Sequence, residues 1–266
     1  MVSVVHLQML RGRGGDLHRY VDAMTVRPSM ARYGLIKALF DGLKRDGVWQ
    51  FIDAGWLIAA DTEQAGYLNF REPARFTLTP VASPTFTQDR GVAGNGTSSY
   101  LDTGWIAGVH GRAFTRRSAS IGIYANAGTD TASDTVRLAG ALAAALVTAR
   151  SAAGTLQGQL CDLTTVDLTG GAGVATRLGL TAFDRTAHNL VTGYRDGTAN
   201  GTKATASVAL TAWRSLYLGC TNDGGTAAQF SDNRIAFAYV GGAMGATLQA
   251  ALSSRVTAYL TALGAN

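Results

Sequence analysis

The chain has 266 residues, of which 47% are hydrophobic, so it can bury the core of one large β-sandwich with or without a small appendage. Only 15% of the residues are charged, and the net charge of +5 is scattered without a long basic run, which argues against nucleic acid as a partner. A mildly basic surface, or one that faces acidic polysaccharide, fits better, and no apolar run has the roughly 20 residues of a membrane helix.

Residues 1–68 are predicted to form a helical region that attaches or packs. Residues 1–10 are apolar but lack a basic start, so we expect no secretion signal. Apolar spacing predicts a short helix over residues 16–25 and, after a start signal at Pro28 and Ser29, a second helix over 30–46. Residues 55–60 are expected to stay helical, because the segment that follows them favours helix.

From residue 69 onward the pattern predicts a β-sandwich. Three prolines end regular helix, and apolar residues then alternate with a period of two. A hairpin is expected in which the strand over 188–194 turns at Arg195, Asp196 and Gly197 and returns over 203–210. A last strand over 234–240 precedes a helix with Leu248, Leu252, Val256, Leu260 and Leu263 on one stripe. The predicted fold is mainly β: an antiparallel jelly-roll sandwich over 69–266, with a small helical N-terminal region and a closing C-terminal helix.

Catalytic patterns are weak, so we expect a protein that is not an enzyme. The two glutamates, Glu63 and Glu72, precede the β region, whereas glycosidases generally use a pair of carboxylates in one cleft. The four histidines are isolated, and the glycine-rich segments lack the Lys-Ser/Thr of a phosphate loop. A sandwich-type enzyme that cleaves polysaccharide, using two Asp from loops, remains an alternative.

Binding residues are easier to nominate than catalytic ones. Asp223 and Asp232 lie in turns that could place oxygen atoms around calcium; no other metal or cofactor is expected. Aromatic faces bind sugars, so Trp105, Tyr124, Tyr194 and Trp213 are candidate glycan contacts, with burial in the core as the alternative for each. Cys161 and Cys220 are expected to be buried free thiols, and a cross-sheet disulfide stays open.

Several segments together resemble a known family. They are Asp46-Gly-Val-Trp-Gln-Phe-Ile-Asp53, Pro84-Thr-Phe-Thr-Gln-Asp-Arg-Gly-Val-Ala-Gly-Asn-Gly-Thr-Ser-Ser-Tyr-Leu-Asp-Thr-Gly104 and the ending Arg234-Ile-Ala-Phe-Ala-Tyr-Val-Gly-Gly242. They look like segments of virion proteins of tailed bacteriophages and gene transfer agents. The ending also resembles the last strand of concanavalin-like and laminin-G-like sandwiches, and Tyr194-Arg-Asp-Gly197 resembles a hairpin turn of the latter.

The resemblance spans about residues 28–266 and implies a jelly-roll sandwich displayed on a particle, often for recognition of a host surface. We therefore expect a structural virion protein of spike or tail-fibre type, assembled in the bacterial host cytoplasm. Its expected partners are other virion proteins and host cell-surface polysaccharide, and a homo-oligomer is plausible. Residues 1–27 are expected to form an arm that docks onto the particle. A purely architectural subunit without a ligand is a further alternative.

Overall fold

The computed structural model describes residues 15–130, 133, 137–141, 144–210 and 214–266. Within them the helices are α1 (Asp16–Asp22), α2 (Met30–Arg45), α3 (Glu63–Tyr67), α4 (Ala107–His110) and α5 (Gly245–Ala262), with a 3-10 turn at Trp49–Phe51. The strands are β1 (Ile52–Trp56), β2 (Thr79–Val81), β3 (Thr85–Thr87), β4 (Gly91–Ala93), β5 (Tyr100–Ile106), β6 (Ala119–Ala127), β7 (Ala139–Ala141), β8 (Ala145–Thr148), β9 (Gln157–Leu160), β10 (Val166–Asp167), β11 (Gly179–Ala187), β12 (Leu190–Arg195), β13 (Thr198–Lys203), β14 (Ser215–Leu218), β15 (Thr221–Asp223), β16 (Thr226–Ala228) and β17 (Arg234–Gly241).

The strands form two sheets. Sheet A has the order β13-β12-β11-β6-β17-β4-β3, and β1 pairs with β17 outside this path. Sheet B has the order β10-β9-β8-β7-β14-β5-β2, and the β15–β16 hairpin joins it at β7. The pairings between described strands are antiparallel apart from a single parallel contact between Asn222 and Ala141. The protein is therefore mainly β, an antiparallel sandwich of jelly-roll type, which confirms the predicted fold class.

Helices pack on the outer face of sheet A, so the molecule has three layers. Strand β17 shows the division: Ile235 and Val240 face the core between the sheets, whereas Phe237 and Tyr239 face the helices. The helix-side core also contains Phe40 of α2, so residues before and after position 69 share it. The division predicted at residue 69 therefore does not coincide with a gap between two cores.

Both helices predicted near the N-terminus are present, as α1 and α2. The hydroxyl of Ser29 accepts a hydrogen bond from the Arg32 amide at 3.2 Å and caps the start of α2, as the start signal indicates. Arg255 of α5 donates to Asp46 at 2.7 Å, which fastens the C-terminal helix to the end of α2. No helix among the described residues is long and apolar enough to span a membrane.

Two local predictions are wrong. The segment over residues 55–60, which was expected to be helical, is not a helix. Its first two residues belong to strand β1, in which Ile52 pairs with Gly241 and Trp56 with Ala238 of β17. A strand buried on both faces lacks the alternation that marks a half-exposed strand, so its apolar run reads like buried helix. The return strand expected over 203–210 spans Thr198–Lys203 instead, because the turn consists of only Asp196 and Gly197.

A buried ionic cluster joins the two sheets. We call it the intersheet cluster, formed by Asp162 after β9, Arg185 of β11 and Lys203 of β13. Arg185 donates to Asp162 at 2.8 Å and Lys203 donates to the same carboxylate at 3.0 Å. The three side chains are at most 4% exposed. Each remaining donor is directed to a backbone carbonyl, including those of Leu160 and Gly158.

Candidate functional site

A groove of about 660 Å³ lies on the helix side of sheet A. We call it the helix–hairpin groove. Tyr124 and Asn126 of β6 and Gly179 of β11 contribute to its lining, and the β12–β13 turn over residues 196–198 and α5 line it as well. Its size is in the range of small-molecule and oligosaccharide sites.

The hairpin turn reaches the helix because of its two turn residues. Asp196 and Gly197 have φ angles of 49° and 82°, the combination that a tight two-residue hairpin requires. A Cβ atom on Gly197 would lie 2.7 Å from the Cβ of Ser253 and 2.9 Å from the Cα of Ala250. Glycine therefore allows both the turn and its close approach to α5. Asp196 completes the turn by accepting a hydrogen bond from the Leu180 amide at 2.8 Å.

The helical wall of the groove is made of small and hydroxylated side chains. Ala250, Ser253, Ser254 and Thr257 line it with the spacing of one helix face. The opposite face carries buried Leu252 among others. Among the described residues, the hydroxyls of Ser253, Ser254 and Thr257 have no hydrogen-bond partner. Ser253 is only 4% exposed, so its free hydroxyl can be satisfied by a molecule in the groove.

Helix α5 is held in place by a buried carboxylate. Asp184 of β11 accepts hydrogen bonds from the amides of Met244 and Gly245, at 3.1 and 2.7 Å, and from the Gln249 side chain at 2.7 Å. Burial raises the pKa of Asp184, and these donors oppose the rise. The first turn of α5 is thereby tied to sheet A, and the groove wall has a fixed position.

One end of the groove is amide-rich and basic. Asn126 donates to the backbone carbonyl of Arg90 at 2.9 Å and accepts from Arg234 Nε at 2.9 Å. It also donates to the Ala265 carbonyl, which holds the segment after α5 against the sheet. The groove therefore has hydroxyls along the helix and one acidic side chain at the turn, and the guanidinium of Arg234 lies behind Asn126.

The aromatic candidates are placed differently from one another. Trp105 is 2% exposed and packs against Phe114 between the sheets, with ring centroids 5.2 Å apart, so its predicted role as a sugar platform is wrong. Tyr194 is also buried, at 4% exposed, and burial raises its pKa to about 12; its predicted role is wrong for the same reason. Tyr124 is mostly buried but lines the groove, where burial and then Asp196 raise its pKa. Trp213 lies outside the described residues.

The calcium prediction gains no support from the described residues. Asp223 is exposed on the β15–β16 hairpin, and Asp232 accepts hydrogen bonds from the amide and hydroxyl of Thr129. No group of three or more acidic, histidine or cysteine side chains in the described parts of the chain could hold a metal ion. Cys161 and Cys220 are free and buried, as expected, and burial raises both thiol pKa values to about 12.

Sequence reasoning missed the residues that shape the groove. Ser253, Ser254 and Thr257 are hydroxyl residues among the polar positions of the helix, and their spacing is a local signal that indicates a second solvated face. Asn126 is the last polar residue of a buried strand and carries no such signal. Its partners lie 36, 108 and 139 residues away in the chain.

No protein-family model and no curated protein matches this chain. A mutant of Trypanosoma rangeli sialidase displaying trans-sialidase activity matches it with a TM-score of 0.50 and 11% identity, over 84% of this chain and 39% of the sialidase. Domain 4 of AbnA, a GH43 extracellular arabinanase from Geobacillus stearothermophilus in complex with arabinotriose, gives a TM-score of 0.47 and 13% identity, over 76% and 98% of the two chains. The Ruminococcus gnavus IT-sialidase CBM40 bound to α2,3 sialyllactose gives 0.37 and 16%, over 47% and 75%.

The match to the sialidase indicates a shared fold. This chain spans about two fifths of the length of the sialidase it matches. At 11% identity the likeness shows the fold and not an activity, because one fold carries many functions.

Proposed function

We propose that the protein is a non-enzymatic, glycan-binding sandwich carried on a tailed phage or a phage-like particle, where it contributes to attachment to the host surface. The observation that carries the glycan assignment is the helix–hairpin groove, in which three hydroxyl side chains of α5 have no hydrogen-bond partner among the described residues. Sugars present many hydroxyls that donate and accept, and they suit such a lining.

The lining supports binding over cleavage. Among the described residues that line the groove, Asp196 has the only acidic side chain. Glycoside cleavage generally needs two carboxyl groups on opposite sides of the bond. Asp196 also accepts the Leu180 amide, as a structural turn residue does.

The particle assignment rests on the sequence resemblance described above. Attachment proteins are displayed in many copies, and weak sites multiplied over a particle give strong overall binding. Mass spectrometry of purified particles tests this location. If the chain is absent from particles that infect normally, the particle assignment is wrong, whereas a glycan site would be unaffected.

Groove binding is tested by filling the groove. We expect Ser254→Trp to abolish binding to an array of bacterial surface glycans, because Ser254 is exposed and a large side chain there fills the cavity without entering the core. The matched control is Thr247→Trp, two turns earlier on the same helix, also exposed and outside the groove. Equal binding by both variants would contradict the site. Release of reducing ends from bound polysaccharide would contradict the non-enzymatic assignment.

A further inference from the structure

Two guanidinium groups lie near the amide-rich end of the helix–hairpin groove, next to the residues that line it and not among them. Arg234 Nε donates to the side-chain oxygen of Asn126, which lines the groove, at 2.9 Å. Arg90 Nη1 donates to the Leu263 carbonyl at 3.1 Å, beside the segment that Asn126 holds through Ala265. Both arginines are half-buried. Asn126 therefore links the groove lining directly to the guanidinium of Arg234, and to Arg90 through the backbone carbonyl of that residue.

These cations have no compensating acid in the described part of the chain. Neither Arg90 nor Arg234 forms an ion pair with a described acidic side chain, whereas Arg32 pairs with Asp89 and Arg255 with Asp46. Burial lowers the pKa of Arg234, and the neighbouring positive charge of Arg90 lowers it further.

Most of their donor capacity is unused. A guanidinium has five N–H donors in a planar fork. One N–H group of Arg234 donates to Asn126. One N–H group of Arg90 donates to the Leu263 carbonyl at the end of α5, where a positive charge also stabilises the negative end of the helix dipole. The other N–H groups have no partner among the described residues. Two adjacent forks with free donors match the oxygen atoms of an anionic group.

We propose that the groove selects sugars bearing an anionic oxygen group, a carboxylate or a sulfate, and that Arg90 and Arg234 bind this group where the sugar extends past Asn126 at the end of the groove. This inference rests on the proposed glycan function and names the substrate class of the same site. The hydroxyls of α5 hold the uncharged part of the sugar, and Asn126 sets the position of the guanidinium of Arg234. The net charge of +5 favours the approach of an acidic polysaccharide.

Matched ligands test the charge requirement. The purified protein is titrated by calorimetry with a trimer of galacturonic acid, with the same trimer methyl-esterified at each carboxyl, and with a sulfated galactose trimer. We expect the acidic trimers to bind about tenfold or more tightly than the ester, since charge-assisted hydrogen bonds are about twice as strong as neutral ones. Comparing the carboxylated with the sulfated trimer identifies the anionic group. Raising the salt concentration should weaken only the acidic trimers.

Matched variants test the residues. We expect Arg234→Gln to remove the preference for the acidic trimer and Arg234→Lys to retain part of it, because lysine keeps the charge but not the fork. Arg117→Gln is the control: Arg117 is exposed and precedes β6, so the length of the strand, roughly 25 Å, separates it from Asn126. Thermal unfolding of each variant checks that the fold is retained.

The outcomes separate this inference from the function on which it rests. Equal affinity for the trigalacturonate and its ester, or equal losses in Arg234→Gln and Arg117→Gln, would overturn the anion site. If neutral glycans still bound in a manner that Ser254→Trp abolished, the glycan function would stand without the acidic preference. If no glycan bound at all, both proposals would be wrong.

Discussion

The intersheet cluster and the basic end of the groove each contain two cationic side chains, which are paired with an acid in the first and not in the second. In the intersheet cluster, Arg185 and Lys203 share the carboxylate of Asp162, and all three side chains are almost completely buried. At the groove end, Arg90 and Arg234 are half-buried and are held by an amide and a carbonyl without a described acid.

The difference teaches where charge supports the fold and where it is available for binding. A buried charge costs several kcal/mol unless it is paired and its hydrogen bonds are complete, and the intersheet cluster meets both conditions. Arg185 alone donates to Asp162 and to the carbonyls of Leu160, His188 and Thr205. Partly solvated cations tolerate incomplete pairing, so their free N–H donors remain available to bind a ligand.

The largest expected effect comes from removing the shared acid. Asp162→Asn leaves Arg185 and Lys203 buried without a counter-charge, so we expect the free energy of unfolding to fall by about 3–5 kcal/mol. Urea denaturation at neutral pH measures the change, with an unchanged m-value indicating a comparable unfolding transition. Asp41→Asn is the control, because the Lys37–Asp41 pair is exposed on α2. If the two variants unfolded at the same urea concentration, the intersheet cluster would not stabilise the fold more than an exposed ion pair does.

Removing one cation should cost less. Lys203→Met leaves the Arg185–Asp162 pair balanced in charge but deprives the carbonyls of Gly158 and Thr164 of their donor. We expect a loss of about 1–3 kcal/mol, the cost of leaving buried acceptors unsatisfied. The same urea experiment measures it. A loss as large as that of Asp162→Asn would contradict the view that the missing counter-charge costs more than the unsatisfied carbonyls.

Much of the sandwich could be predicted from the sequence, because β strands with one exposed face and short turns leave local signals. The turn at Asp196 and Gly197 and the closing helix α5 are examples. Strand β1 could not be recognised, since sheet A is covered on both sides and its strands lose their alternation. Trp105 was misassigned for a related reason: whether an aromatic residue lies inside or outside depends on which strands pair, and that is not local information.

The groove was harder to predict than the fold. Its lining comes from β6, the β12–β13 turn and α5, and its cations come from near β4 and from β17. None of these segments carries a recognisable binding motif by itself. Their chemistry emerges only when sheet A and the C-terminal helix bring together residues separated by more than a hundred positions.

The smallest expected effect concerns Asp184. Unlike the charged side chains of the two clusters, it is a buried carboxylate that is held by amides, and no cation is bonded to it among the described residues. Burial raises its pKa above the ordinary value of 3.8. Above this raised pKa the folded protein holds a desolvated charge, which lowers its stability. As the pH falls through the folded pKa toward 3.8, the folded state takes up the proton first and gains stability relative to the unfolded chain.

This linkage is measured as a difference, because other carboxylates also titrate. The free energy of unfolding of the native protein should improve relative to that of Asp184→Asn as the pH is lowered from 7 towards 4, since the variant has no proton to take up. If the variant does not fold, the carboxyl carbon of Asp184 can be titrated by NMR in the native protein. A midpoint at or below 3.8 would show that the amides of Met244 and Gly245 outweigh burial, and that the start of α5 is held by a charged cap rather than by a desolvated acid.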